Sequence, residues 1–150
     1  MKKWIYGIIL IICLCVGGFC AYQAWLIYNE DNEVELQTDK IKKECVEKKN
    51  ENGEQILSPD WGSLKAINPD IVGWIYVPDC AISYPVVQGT NNSYYLDHTI
   101  YKGYNYMGSA FLDCNTNSDF SDDNNIIYGH SVQGGGMFTL LKNFSSKSFF

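Results

Sequence analysis

Two histidines and six cysteines are the side chains of this 150-residue chain best suited to proton transfer or nucleophilic attack. His130 has the most suggestive setting. It follows the β-type run Ile126-Ile127-Tyr128 with only Gly129 between, and a glycine-rich turn and the pair Met137-Phe138 come after it. A strand that ends on a histidine beside a flexible loop is a common way to hold an imidazole at the rim of a cleft. Imidazole is the side chain best matched to proton transfer near neutral pH. A strand-end histidine is more often structural, so the motif gains meaning only from its context. His98, in Tyr94-Tyr95-Leu96-Asp97-His98, sits in a polar-aromatic loop and reads as structural or solvated. Asp97 and Asp113 are carboxylates of a kind that can orient an imidazole, although sequence gives no distances.

The cysteines divide into two sets. Cys13, Cys15 and Cys20 lie in an apolar run, while Cys45, Cys80 and Cys114 are widely spread. Three thiols outside that run allow one incidental disulfide and leave one unpaired. No CxxC pair or Cys/His spacing suggests zinc, and no cofactor is expected. Residues 115–125, NTNSDFSDDNN, are acidic but lack the order and the closing glutamate of an EF-hand loop, so a connecting loop is expected. A formal net charge of -6 disfavours nucleic acid as a partner.

The elements that must carry these residues begin with Trp4 to Tyr28, which contains no charged residue. This run is long enough to cross a bilayer as one helix, which takes roughly 20 residues. Lys2 and Lys3 precede it and Asn29-Glu30-Asp31 follow, so the expected topology is single-pass with a cytoplasmic N-terminus and everything after Tyr28 outside the cell membrane. A cleaved signal peptide is the rival. It fits less well, because bulky Tyr22 stands two positions before Ala24 and Cys20 follows Phe19. Residues 1–28 are thus read as a cytoplasmic tip and a transmembrane signal anchor.

Residues 29–55 are rich in charge, with acid-first pairs such as Asp39/Lys43 and Glu44/Lys48 at helical spacing. Val34, Ile41 and Cys45 form only a thin apolar stripe, so a solvated helical stalk ending near Asn52-Gly53 is expected. From residue 56 the composition changes. Ser58-Pro59-Asp60 predicts a helix start capped by Ser58, running through Leu64 and Ile67 until Asn68-Pro69 breaks it. Strands are then predicted over Val72–Val77, Ile82–Gln88, Ala110–Leu112 and Asn125–Tyr128. Pro85 marks its strand as an edge or a bulge. Tyr128 and Phe111 read as core residues. The class is mostly β, a barrel or sandwich with helices at its edge.

Four segments occur in an order that resembles the class B sortases, membrane-anchored cysteine transpeptidases of Gram-positive bacteria. They are Asn68 with Val72-Gly73-Trp74-Ile75, then Tyr84-Pro85-Val86-Val87-Gln88, then Gly108 to Asp113, then Tyr128-Gly129-His130 with Met137-Phe138. The likeness runs from about Leu64 to Phe150. It implies an eight-stranded sortase-type β-barrel, incomplete in this chain, preceded by N-terminal helices, with residues 56–150 as the N-terminal portion of the catalytic domain. It implies that His130 is the catalytic histidine. The implied partners are the sorting-signal peptide of a secreted surface protein and, as acceptor, the amine of a cell-wall precursor or of another protein.

This chain departs from the family's pattern. In the family the nucleophilic cysteine lies well downstream of the histidine, with an arginine beyond it, and neither occurs in the sequence through Phe150. The chain contains no arginine at all, and lysine does not reproduce a bidentate guanidinium contact. Cys114 precedes His130 in chain order, Cys80 lies in a turn and Cys45 on the stalk. Triads follow geometry rather than order, so Cys114 remains the alternative nucleophile. The expectation is a chain truncated before its nucleophile and inactive alone; a non-catalytic, membrane-anchored peptide-binding remnant is the competing reading.

Overall fold

The computed structural model describes residues 2–49, 55–77, 80–132 and 136–149. The chain forms two compact units, residues 1–33 and 34–150. In the first, helix α1 (Lys2–Ile41) presents Leu10, Leu14, Phe19 and Trp25 outward, all more than half exposed. By length and composition this helix is apolar enough to cross a membrane.

The second unit begins on the last turns of α1, which continue as a π-helical turn over Lys42–Val46. The stripe read as the face of a solvated stalk is buried here: Val34, Thr38, Ile41, Cys45 and Val46 are nearly inaccessible. They recur at helical spacing, and a narrow stripe is sufficient because each member meets the core. Each fully buried aliphatic contributes about 1.5–3 kcal/mol. Helical structure ends at Val46, earlier than expected; Asn52 and Gly53 lie outside the described residues. Strands β1 (Glu47–Lys49) and β2 (Gln55–Leu57) follow as an antiparallel pair.

Helix α2 spans Trp61–Ile67, and its cap is Asp60 rather than Ser58. The Asp60 carboxylate accepts from the Gly62 and Ser63 amides at 3.1 and 3.3 Å. Ser58 is taken up differently, its N–H donating to the Val46 carbonyl at 2.8 Å and so extending the β1–β2 pairing. Asn68 ends the helix in an extended conformation ahead of Pro69.

Strands β3 (Ile71–Val77), β4 (Ile82–Val87), β5 (Ala110–Leu112) and β6 (Ile127–Tyr128) lie in that order in one sheet. β3–β4 and β5–β6 are antiparallel and β4–β5 is parallel. Among the described residues the sheet is open, with β3 and β6 at its margins, rather than a closed barrel. Four strands, three of them six residues or shorter, do not curl far enough to meet. Pro85 also corrects its reading, because β4 is an interior strand. Its ladder to β5 begins only at Val86, so at Pro85 itself the strand pairs with β3 alone.

Two apolar clusters flank the sheet. One gathers Ile41, Val46, Leu64, Ile71, Val87, Tyr95, Ile100 and Phe111; the other gathers Val34, Cys80, Ile82, Tyr84, Met107, Ala110 and Met137. Ala110 and Phe111 are consecutive and so point to opposite faces, one into each cluster. β5 is short, but it is clamped from both sides.

Candidate active site

β6 ends at Tyr128, and Gly129 then carries the chain to His130. The ring of Phe138 lies against Gly129 so closely that a Cβ there would come within 2.8 Å of it. Only glycine permits that packing. The Phe138 N–H donates to the His130 carbonyl at 3.0 Å, Ser131 bridges Met137, and the Thr139 hydroxyl bonds both the N–H and the carbonyl of Val132. The loop after the histidine is thus tied at its base, while residues 133–135, part of the glycine-rich turn, lie outside the described residues. From the far side, the buried Tyr84 hydroxyl accepts from the Met137 N–H at 2.9 Å. Burial raises the Tyr84 pKa, which keeps the phenol protonated.

The imidazole of His130 is partly exposed, and its Nε2 lies 2.7 Å from the Leu96 carbonyl oxygen. A carbonyl can only accept, so Nε2 carries the hydrogen in the neutral ring and Nδ1 is the nitrogen left with a lone pair. Leu96 closes a 3₁₀ turn over Tyr94–Leu96, and Tyr95 anchors that turn in the core. The Tyr95 hydroxyl donates to Asp70 Oδ2 at 2.7 Å and accepts from Asn68 Nδ2 at 3.0 Å. The same Asn68 Nδ2 reaches the Ile100 carbonyl at 2.8 Å, and Lys102 Nζ stands 2.8 Å from Asp70. Hydrogen bonds from Lys102 and then Tyr95 hold the Asp70 carboxyl below its usual range. Burial, with the Asp70 bond behind it, pushes the Tyr95 phenol far up.

The two carboxylates with a reading as imidazole-orienting groups are placed elsewhere. Asp97 Oδ1 lies 2.7 Å from His98 Nδ1, not His130. Asp113 accepts from Tyr128 Oη, Asn92 Nδ2 and the Asn115 amide. The Asn115 amide, followed by the Tyr128 hydroxyl, keeps its carboxyl below the usual range. Tyr128 corrects its reading as a core residue. It is 37% exposed and stacks on Phe111, which is buried as expected.

All six cysteines are free thiols. Cys45 and Cys80 are buried, and desolvation raises the Cys45 thiol away from its reactive form. Strand register sets Cys114 apart from His130. Phe111 pairs with Tyr128 and Leu112 with Ile127 in an antiparallel ladder, so His130 continues toward the level of Ser109 while Cys114 continues toward Asn125. Five residues along a strand separate the two levels by roughly 16 Å.

An isolated strand-end imidazole with one nitrogen engaged and one open is equipped to move a proton but has no nucleophile beside it among the described residues. Its surroundings are those of known proteins. Sortase B of Listeria monocytogenes is 33% identical over 144 residues, covering 92% of this chain and 58% of that protein. Bacillus anthracis sortase B, solved in complex with AAEK1, has TM-score 0.69 at 30% identity over 84% of this chain and 58% of its own. The chain is a relative of the class B sortases. A Staphylococcus aureus sortase B–substrate complex is similar at TM-score 0.65 and 30% identity, over 80% of this chain and 55% of that one. No protein-family model matches the chain. This sortase relative spans 58% of the length of the Listeria protein that it matches.

Several contributors to the site were not singled out from sequence. Asn68 and Gly108 stood within the motifs that carry the resemblance, but their tasks were unread. Leu96 acts through its backbone, which no side-chain pattern reports. Gln88 has its Nε2 on the carbonyls of Asp113 and Thr116, at 2.9 and 2.7 Å, joining β4 to the loop after β5.

Proposed function

We propose that this chain is the histidine-bearing part of a sortase-type cysteine transpeptidase, held at the cell membrane by α1 with its N-terminus in the cytoplasm. In this reading the open sheet is a portion of the sortase β-barrel and His130 is the acid–base group. A cysteine thiolate, supplied from outside these 150 residues, adds to the carbonyl of a sorting-signal peptide. The C–N bond breaks as the departing amine nitrogen takes a proton from the His130 imidazolium, leaving a thioester on sulfur. An acceptor amine, on a cell-wall precursor or another protein, then attacks the thioester, loses its proton and releases the thiolate. An arginine to steady the oxyanion would likewise come from outside, as the chain has none. The observation that carries this reading is the strand-end His130, fixed at one ring nitrogen in a fold similar to sortase B at TM-score 0.69.

The placement of the cysteines favours a second reading for the 150 residues by themselves, that of a membrane-anchored module that binds peptide without cleaving it. Cys45 and Cys80 are buried and Cys114 lies at the far end of the β5–β6 pair.

The test is a chimera in which this chain is continued by the segment of the Listeria relative that it does not cover. With a sorting-signal peptide it should accumulate a thioester visible by intact mass and release it on adding an amine. A folded chimera that forms no thioester would refute the transpeptidase reading. Thioester formation by the unextended chain would refute the assignment of the nucleophile to a segment outside it.

A further inference from the structure

We propose that Gly108 is a positioning residue for His130, acting through the Leu96 carbonyl. The inference rests on the reading of His130 as the acid–base group. Gly108 adopts φ +58°, a left-handed conformation that favours glycine. A Cβ built there would stand 2.4 Å from the Leu96 carbonyl oxygen and 2.4 Å from that of Tyr95. No side chain fits at that distance, so either the backbone at 108 or the Tyr94–Leu96 turn would have to shift. The Leu96 oxygen under that pressure is the acceptor 2.7 Å from His130 Nε2.

The surrounding bonds leave the oxygen little freedom. The Ser109 N–H donates to the Tyr95 carbonyl at 2.9 Å, the Gly108 N–H to Asn105 at 2.9 Å, and the Asn105 N–H to Asp97 at 2.9 Å. Ser109 Oγ bonds the His98 carbonyl at 3.0 Å. Residues 95–98 are therefore laced to 105–109 on both sides of Leu96, with Gly108 as the point of closest approach. An added methyl would displace the carbonyl rather than be absorbed by a side chain, because both atoms it meets are backbone.

The consequence is chemical. With Leu96 in place, neutral His130 is the Nε2–H tautomer and Nδ1 is the nitrogen that gains and gives the catalytic proton. His98 supplies an internal contrast. Its Nδ1 faces the Tyr94 carbonyl at 2.9 Å and Asp97 at 2.7 Å, so its neutral form is the Nδ1–H tautomer. One protein then holds its two histidines in opposite tautomers.

The experiment is ¹⁵N–¹H correlation of the imidazole rings in the full 150-residue chain, kept soluble in detergent, at a pH where both are neutral. Expected are Nε2–H for His130 and Nδ1–H for His98. Gly108→Asn retains a residue tolerant of positive φ but brings the Cβ. It and Gly108→Ala should shift the His130 ring toward mixed tautomers while His98 keeps its own. Gly103→Ala, in the same loop with nothing nearer than 3.8 Å, should leave both rings unchanged. Nδ1–H at His130 in the unmodified chain, or an unaltered His130 ring in folded Gly108→Asn, would overturn the proposal. The unmodified spectrum decides even where a variant precipitates. Failure of the catalytic reading shows separately, as a sortase-active chimera indifferent to His130→Ala, and would leave the tautomer assignment standing.

Discussion

The two histidines of this chain differ in how many directions hold them. His98 Nδ1 lies between the Tyr94 carbonyl and Asp97, its ring stacks on Tyr94 at 4.1 Å, and the edge of Tyr104 stands at 6.1 Å. Among the described residues His130 has a single side-chain bond, to Leu96, with no partner on its other nitrogen. A ring stacked on an aromatic and bonded at one nitrogen to two partners stabilises the loop it belongs to. Among the described residues no ring stacks on His130, which leaves its imidazole room to meet a substrate. The two rings differ in packing rather than in exposure, since both are partly exposed.

The largest effect that can break this contrast is on rate. In an active chimera, His130→Ala should lower thioester formation by about 10²- to 10⁴-fold, the usual worth of a general acid–base group. His98→Ala should stay within a few fold. Comparable losses for the two, measured as kcat/KM with a sorting-signal peptide, would erase the distinction.

Stability should show the reverse order. His98→Ala removes a hydrogen-bonded, stacked ring and should cost about 1–3 kcal/mol in urea unfolding. His130→Ala should fall within about 0.5 kcal/mol of the unmodified chain. A variant set in which His130 carries the larger penalty would make it the structural residue.

A smaller effect is expected from acid, through the network behind Leu96. The Asp70 carboxyl is held low in the folded chain by Lys102 and Tyr95, and its unfolded value is about 3.9. A depressed folded value means that its contribution is complete above that pH and disappears as pH falls through the folded value. Unfolding midpoints should therefore drop below about pH 4, and Asp70→Asn should flatten part of that drop. Identical acid limbs for the two proteins would remove Asp70 from the network's energetics.

The smallest effect belongs to Tyr128. Its hydroxyl bond to Asp113 is exposed to water, so Tyr128→Phe should change stability by no more than about 0.5 kcal/mol. A loss several times larger would mean that the Tyr128–Asp113 contact helps to hold the end of β6, and with it His130.

Local features were legible from the residues alone. The charge-free run Trp4–Tyr28 dictates a long apolar helix, because twenty-odd apolar residues at 1.5 Å rise have no better state. The strands around Val72–Val77, Ile82–Val87 and Ala110–Leu112 were announced by β-branched runs between turn residues, and His130 was already at a strand end in sequence. The motif order supplied the sortase likeness. What tertiary structure decided depends on residues far apart in the chain. The burial of Val34, Ile41 and Cys45 required a core to receive a stripe too thin to proclaim itself. The separation of Cys114 from His130 follows from an antiparallel register that composition does not encode. The tautomer of His130 is set by a carbonyl 34 positions away, and the need for glycine at 108 by that same carbonyl. Side-chain patterns report what each residue prefers locally; backbone oxygens acquire their partners only when the chain closes on itself.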